Sequence, residues 1–153
     1  MMNKITISQA NLVDSRDVFR VFKETRSDMK YLPNLHTDEQ TQNYITSLIE
    51  DGGLSVAKRD TTIVGFIHIQ NNHVNHLYID RSFQNQGIGK LLLDHAKSLY
   101  LDGLELWVFE ENKDAIRFYE KEGFILTEKR DIHTTSNEEN LPDRRYQWKK
   151  ILS

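Results

Sequence analysis

Gln84-Asn85-Gln86-Gly87-Ile88-Gly89-Lys90 sets two glycines directly ahead of a leucine-rich helical run. Glycine lacks Cβ, so such a turn adopts φ > 0 and packs closely against a ligand. Successive N–H groups then face outward at a helix N-terminus, where the macrodipole adds about half a positive charge. That is the chemistry of an anion site, and a pyrophosphate suits it. A phosphate-loop NTPase requires G-x-x-x-x-G-K-[ST]. Here Lys90 follows Gly89, but Leu91 replaces the magnesium-binding hydroxyl and position 84 is not glycine. A dinucleotide fingerprint requires G-x-G-x-x-G, and its third glycine falls on Leu92.

A second constellation follows one strand later, Asn112-x-x-Ala115-x-x-Phe118-Tyr119-x-x-x-Gly123-Phe124. On a helix, Asn112, Ala115 and Tyr119 lie close to one face. Asn112 offers an amide at the helix start, Ala115 is small enough for a ligand to approach, and Tyr119 offers a phenol. His68, His73 and His76 raise the question of a metal. Positions 73 and 76 fall on opposite sides of a regular strand, Asp80 has no fixed relation to them, and no cysteine helps, so no metal is expected.

These groups need elements to hold them. "KITISQA" alternates as a strand. Val18, Phe19, Val21, Phe22 and Met29 form a helical stripe that Pro33 ends. Thr37 and Gln40 form a capping box for a second helix, which Gly52 and Gly53 stop. "LSVAKR", "TIVGFIHIQ" and "HVNHLYID", separated by "RDTT" and "QNNH", read as an antiparallel meander. The helix after the glycine turn places Ile88, Leu91, Leu92, Ala96 and Leu99 on one face. "LELWVF", a short helix ending at Gly123, "FILTEKRDI" and "RRYQWKKIL" complete a mixed α/β order. The stretch 74–109 reads as one crossover between parallel strands. Phe19, Phe22, Tyr31 and Tyr44 are expected mainly in the core. Trp107 and Trp148 are expected in the core or at an interface. "TTSNEENLPD" reads as a polar loop; the mixed-sign stretch "NEENLPDRRYQW" is expected in solvent, with a role in substrate choice as the alternative.

Composition bounds the answer. A length of 153 residues is most simply one domain, 1–153, with 38% hydrophobic and 28% charged residues. The net charge of −3 argues against nucleic acid as partner. Residues 11–53 carry eight acids against five bases, which accounts for that excess and mildly favours a cationic substrate. The absence of cysteine excludes disulfides and thiol nucleophiles and fits a reducing cytoplasm. No apolar run is long enough for a membrane span, and the N-terminus carries no secretory h-region.

Together, Q-x-x-G-x-G at 84–89 and N-x-x-A-x-x-F-Y-x-x-x-G-F at 112–124 resemble the GCN5-related N-acetyltransferase superfamily. The resemblance covers about residues 73 to 124. It implies a mixed sheet of six to seven mostly antiparallel strands with about four helices, and a splay between strands four and five that admits acetyl-CoA. It implies that "HLYID" is strand four, with Leu77 and Ile79 pairing with the pantetheine amides. It places Gln84 and Asn85 in the cofactor site and assigns the amides of Gln86, Gly87, Ile88, Gly89 and Lys90 to the pyrophosphate. Asn112, Ala115, Phe118 and Tyr119 complete the expected cofactor contacts. Tyr119 stands where the family often places its general acid. Position 84 is Gln where many members have Arg. Many members also carry a glutamate base on strand four, and "HVNHLYID" has none before Asp80.

The implied reaction is acetyl transfer from a thioester to a primary amine of a small molecule or peptide, by direct attack. The base has several candidates: His76, Asp80, Glu105, or a water chain. The implied partners are that amine and, as in many members, a second copy in a homodimer. The alternative is a non-catalytic CoA-binding sensor or interaction module.

Overall fold

The computed structural model describes residues 4–150; the first and last three residues lie outside the description. The described residues form seven strands and four helices. In chain order these are β1 (Ile5–Gln9), α1 (Ser15–Asp28), α2 (Asp38–Glu50), β2 (Leu54–Arg59), β3 (Thr62–Gln70) and β4 (His73–Ile79), then α3 (Ile88–Leu99), β5 (Leu104–Phe109), α4 (Lys113–Lys121), β6 (Ile125–Arg130) and β7 (Asp143–Trp148).

The strands make one sheet in the order β1-β2-β3-β4-β5-β7-β6. Every neighbouring pair is antiparallel except β4–β5. That parallel pair is the one joined through α3, as a helical crossover requires. Asp60 and Asn71 take positive φ in the two tight turns of the β2–β3–β4 meander, where the left-handed conformation suits Asn and Asp. No helix among the described residues is long and apolar enough to cross a membrane.

Each face of the sheet has its own core. Under α3 and α4 lie Val64, Ile67, Ile69, Val74, Leu92, Leu106, Phe124 and Tyr146. On the other face Val18, Val21 and Phe22 of α1 and Ile45 and Leu48 of α2 form one core with Val56 and Phe66 of the sheet. Thr37 caps α2: its side chain accepts from the Gln40 amide, and the Gln40 side chain returns to the Thr37 amide.

Four sequence expectations shift. First, α1 ends at Asp28, ahead of Pro33, with Met29 as its C-cap. Second, α3 buries Ile88, Leu92, Leu93 and Ala96, whereas Leu91 and Leu99 are exposed. Leu93 completes the i, i+4 and i+5 stripe that the crossover presses on the sheet. Third, Tyr44 is 42% exposed and so lies outside the core; Tyr31 is half-buried. Fourth, the β3–β4 register shifts so that His68 faces His76 while Ile69 faces Val74. Asn75 is the extra residue of a β-bulge. The bulge cancels the expected alternation: counted through their β3 partners, His73 and His76 point to the same face.

Candidate active site

The site begins where the sheet comes apart. β4 and β5 pair only at His73–Glu105 and Val74–Leu106. From Asn75 onward β4 keeps β3 alone as partner, through Ile79 opposite Gly65. The Asp80 N–H donates to the Val64 carbonyl at 2.8 Å. Alternation along the strand then turns the N–H and C=O of Leu77 and Ile79 into the gap. A cleft of about 2070 Å³ opens there.

The glycine turn closes one end of this gap. Gly87 is the N-cap of α3 with φ 81°, preceded by Asn85 at φ 64°. A Cβ on Gly87 would meet nothing within 4 Å, so conformation rather than space demands glycine there. A Cβ on Gly89 would sit 3.5 Å from the Phe118 ring. Leu91 is the first residue whose N–H returns to the turn, donating to the Gly87 carbonyl at 3.2 Å. The N–H groups of Ile88, Gly89 and Lys90 precede it and have no acceptor within the helix. The Lys90 ammonium is held by Glu122 at 3.0 Å and Asp94 at 3.2 Å. The turn therefore offers an anion its main chain. Gln84 Nε2 donates to the Ile79 carbonyl at 3.3 Å, and Gln86 accepts from Arg59 at 3.0 Å.

The cleft brings together His76, Leu77, Ile79, Gln84, Asn85, Gly87, Ile88, Gly89, Lys90, Asn112, Ala115, Phe118 and Tyr119. Asn112 caps α4, its Oδ1 accepting from the Ala115 amide at 3.2 Å. Tyr119 is 8% exposed and packs edge-on against Phe118 and Phe124. Burial raises its pKa well above the usual phenol value, with Tyr78 adding to the effect. The hydroxyl therefore stays protonated at any working pH.

Two base candidates are committed elsewhere, and neither lines the cleft. Asp80 is buried; its carboxylate accepts from Arg20 at 2.6 Å and from the Ser82 amide at 2.8 Å. Burial opposes its ionisation, but Arg20 and Ser82 outweigh burial and lower its pKa. Glu105 is bound by Arg145, His73 and Gln147 on the closed part of the sheet.

The third candidate, His76, does line the cleft. Its Nε2 lies 2.7 Å from the Tyr44 hydroxyl, and its Nδ1 is buried without a partner. Phe22 and Tyr78 pack against the ring. Burial, then the nearby Arg26 and His68, push its pKa down to about 3. Tyr44 is raised to about 12, chiefly by burial. The three histidines have separate partners: Asp51 and Asn75 for His68, Glu105 for His73, and Tyr44 for His76. No group of three or more such ligands could hold a metal among the described residues.

Sequence reasoning missed Asn75, Tyr78 and Arg26. Arg26 lies over the Phe22 ring, reaches the Tyr78 hydroxyl at 3.4 Å and pairs with Glu139 at 3.5 Å. That pair ties Glu139, in a stretch expected in solvent, to α1 beside the cleft. The signal for Asn75 was in the strand itself. Val74, Leu77 and Ile79 share one core, and their spacing of three then two marks an inserted residue.

A seven-stranded open sheet with one splayed parallel pair is found in solved acetyltransferases. The solution structure of apo YjaB from Escherichia coli superposes with a TM-score of 0.76 at 22% identity, over 95% of this chain and 97% of that one. PaiA N-acetyltransferase from Thermoplasma acidophilum, solved in complex with coenzyme A, gives a TM-score of 0.63 at 20% identity over 96% and 99%. In sequence, the chain is 34% identical over 103 residues to the peptidyl-lysine N-acetyltransferase YjaB of Salmonella typhimurium, covering 67% of this chain and 70% of that protein. Residues 17–124 match the acetyltransferase (GNAT) family profile. The chain belongs to the acetyltransferase (GNAT) family and is an acyltransferase.

Proposed function

We infer that the protein transfers an acetyl group from acetyl-CoA to a primary amine, with a lysine side chain of a peptide as the favoured acceptor class. The observation that carries this reading is the β4–β5 gap, with main-chain groups that β5 leaves unpaired on one wall, the Ile79 carbonyl holding only the Gln84 side chain, and the α3 N-terminus at its end. The residues fit the cofactor. Ile88, Gly89 and Lys90 present N–H groups to a diphosphate. Leu77 and Ile79 present strand edges to an amide-bearing arm, as an added strand would require. Acetyl-CoA supplies an acetyl thioester activated for attack. The name of the YjaB relative supports the choice of a peptide lysine.

The protein's own residues then have defined tasks. An amine with a pKa of about 10.4 arrives mainly as ammonium and must lose a proton before attack. With a pKa of about 3, His76 is too weak a base to hold that proton, so the proton leaves through water in the cleft. His76 and Tyr44 give that water a hydrogen-bonded wall. Tyr119 keeps its proton and donates a hydrogen bond to the departing sulfur. Its buried ring, braced by Phe118 and Phe124, fixes the direction of that donation.

The test is thiol release from acetyl-CoA across a panel of amines that includes a lysyl peptide. Release dependent on the amine, with acetyl-amine product in equal amount, is the expected result. Coenzyme A binding without turnover on any amine would overturn the reading.

A further inference from the structure

Beneath the cleft lies a hydrogen-bonded chain that the acyl-transfer scheme does not use. His68 is fully buried in β3. Its Nε2 lies 3.0 Å and 3.2 Å from the two carboxylate oxygens of Asp51, just past α2. Its Nδ1 lies 3.2 Å from Nδ2 of Asn75. Asn75 is exposed and lines the cleft.

The chemistry of each group fixes the next. A carboxylate only accepts, so Nε2 carries a proton, and the Asn75 amide nitrogen, a donor, stands at Nδ1. Nδ1 is then an acceptor, and Asn75 must offer it the NH2 end of its amide. Oδ1 is left as the acceptor presented to the cleft. Asn75 is also the first residue past the last β4–β5 pair, at the apex of the gap. Ile79, beside the glycine turn, is four residues or about 13 Å further along β4. An arm anchored at the turn and laid along β4 runs toward Asn75. The bulge matters as well. Asn75 and His76 are successive, yet both face α1 and α2, because Asn75 bonds His68 and His76 bonds Tyr44.

We propose that Asn75 Oδ1 accepts a hydrogen bond from the acceptor amine and so positions its nitrogen at the apex of the gap, with Asp51 and His68 as positioning residues that set the orientation of the Asn75 amide. The proposal rests on the acetyltransferase reading above and names the side chain that receives the amine. It assigns the site a donor-bearing acceptor, a primary amine or ammonium, because the group presented is a carbonyl oxygen.

The experiment uses the full chain, acetyl-CoA, and the amine from the panel that wild type turns over fastest. Asn75→Ala is expected to raise the KM for that amine about 10- to 100-fold, with kcat and the calorimetric affinity for acetyl-CoA little changed. Asn75→Asp keeps an oxygen at the cleft but removes the donor to His68. It is expected to recover most of the amine KM. If Asn75 merely props His68, Asn75→Asp is at least as damaging as Asn75→Ala, and that result overturns the proposal. An unchanged amine KM in a folded, acetyl-CoA-binding Asn75→Ala protein overturns it too. A nitrogen-15 spectrum of wild-type His68 gives a readout free of activity. A proton on Nε2 alone is expected; a proton on Nδ1 would turn the Asn75 NH2 outward and contradict the proposal. Loss of turnover on every amine in wild type would instead count against the acetyltransferase reading.

Discussion

His76 and Tyr119 show how burial sorts two titratable groups in one cleft. His76 is held neutral because burial strips water from its cation and the nearby Arg26 and His68 repel it, while the unfolded chain protonates it near pH 6.5. The sign follows from linkage. Below pH 6.5 the unfolded state binds the extra proton, so stability falls as the pH drops from 6.5 toward 3. The loss is about 1.4 kcal/mol per pH unit at most. We predict that His76→Gln flattens the fall in Tm between pH 7 and pH 5, read by calorimetry; an identical slope in both proteins would contradict the neutral-imidazole account. The same neutrality predicts that the pH profile of kcat shows no ionisation belonging to His76. Tyr119 has the opposite test. Tyr119→Phe keeps the ring packing against Phe118 and Phe124 but removes the proton donor. It should lower kcat about 100-fold with acetyl-CoA affinity retained. An unchanged kcat would remove Tyr119 from the chemistry.

At the scale of elements, the end of β4 is fixed by one ion pair. Arg20 of α1 donates to Asp80, which also caps the short turn leading to the glycines. Asp80→Asn should cost about 1–3 kcal/mol of stability, read by urea unfolding, and should loosen the glycine turn behind it. The lowered pKa of Asp80 gives the pH sense: its contribution is present above the ordinary carboxylate range and is lost as the pH falls through the folded value. The glycine turn makes a separate prediction. Gly87→Val forces a branched side chain into φ 81° and should weaken acetyl-CoA binding while leaving the core intact. Retained affinity would show that the turn does not grip the cofactor.

This is also the scale at which the sequence was most readable. Gly87 and Gly89 declared a tight turn into a helix, and Thr37 with Gln40 declared a helix start, because those signals are local. The direction of the α3 face was not local. Leu91 and Leu93 are equally apolar, and only the angle at which the crossover returns to the sheet decides which is buried. The bulge at Asn75 left one local trace, the three-then-two spacing of Val74, Leu77 and Ile79. A strict two-residue period misassigns every side chain beyond an inserted residue.

For the whole molecule, the proposed function depends on where the sheet is left incomplete. Seven strands could pair along their lengths, yet β4 and β5 meet at two positions and then part. Unpaired strand edges carry a cost, and a ligand that supplies the missing hydrogen bonds recovers it. The residues paired across the fold, Asp80 with Arg20 and Glu105 with Arg145, could not be told from catalytic candidates before the strands were placed. Only their ion pairs, and their positions outside the cleft, set them apart from the groups that line it. Amide hydrogen exchange with and without coenzyme A tests this account most directly. Slowed exchange at Leu77, Ile79, Ile88, Gly89 and Lys90 on adding coenzyme A is the predicted result. Saturating coenzyme A that leaves those five amides exchanging as before would contradict it.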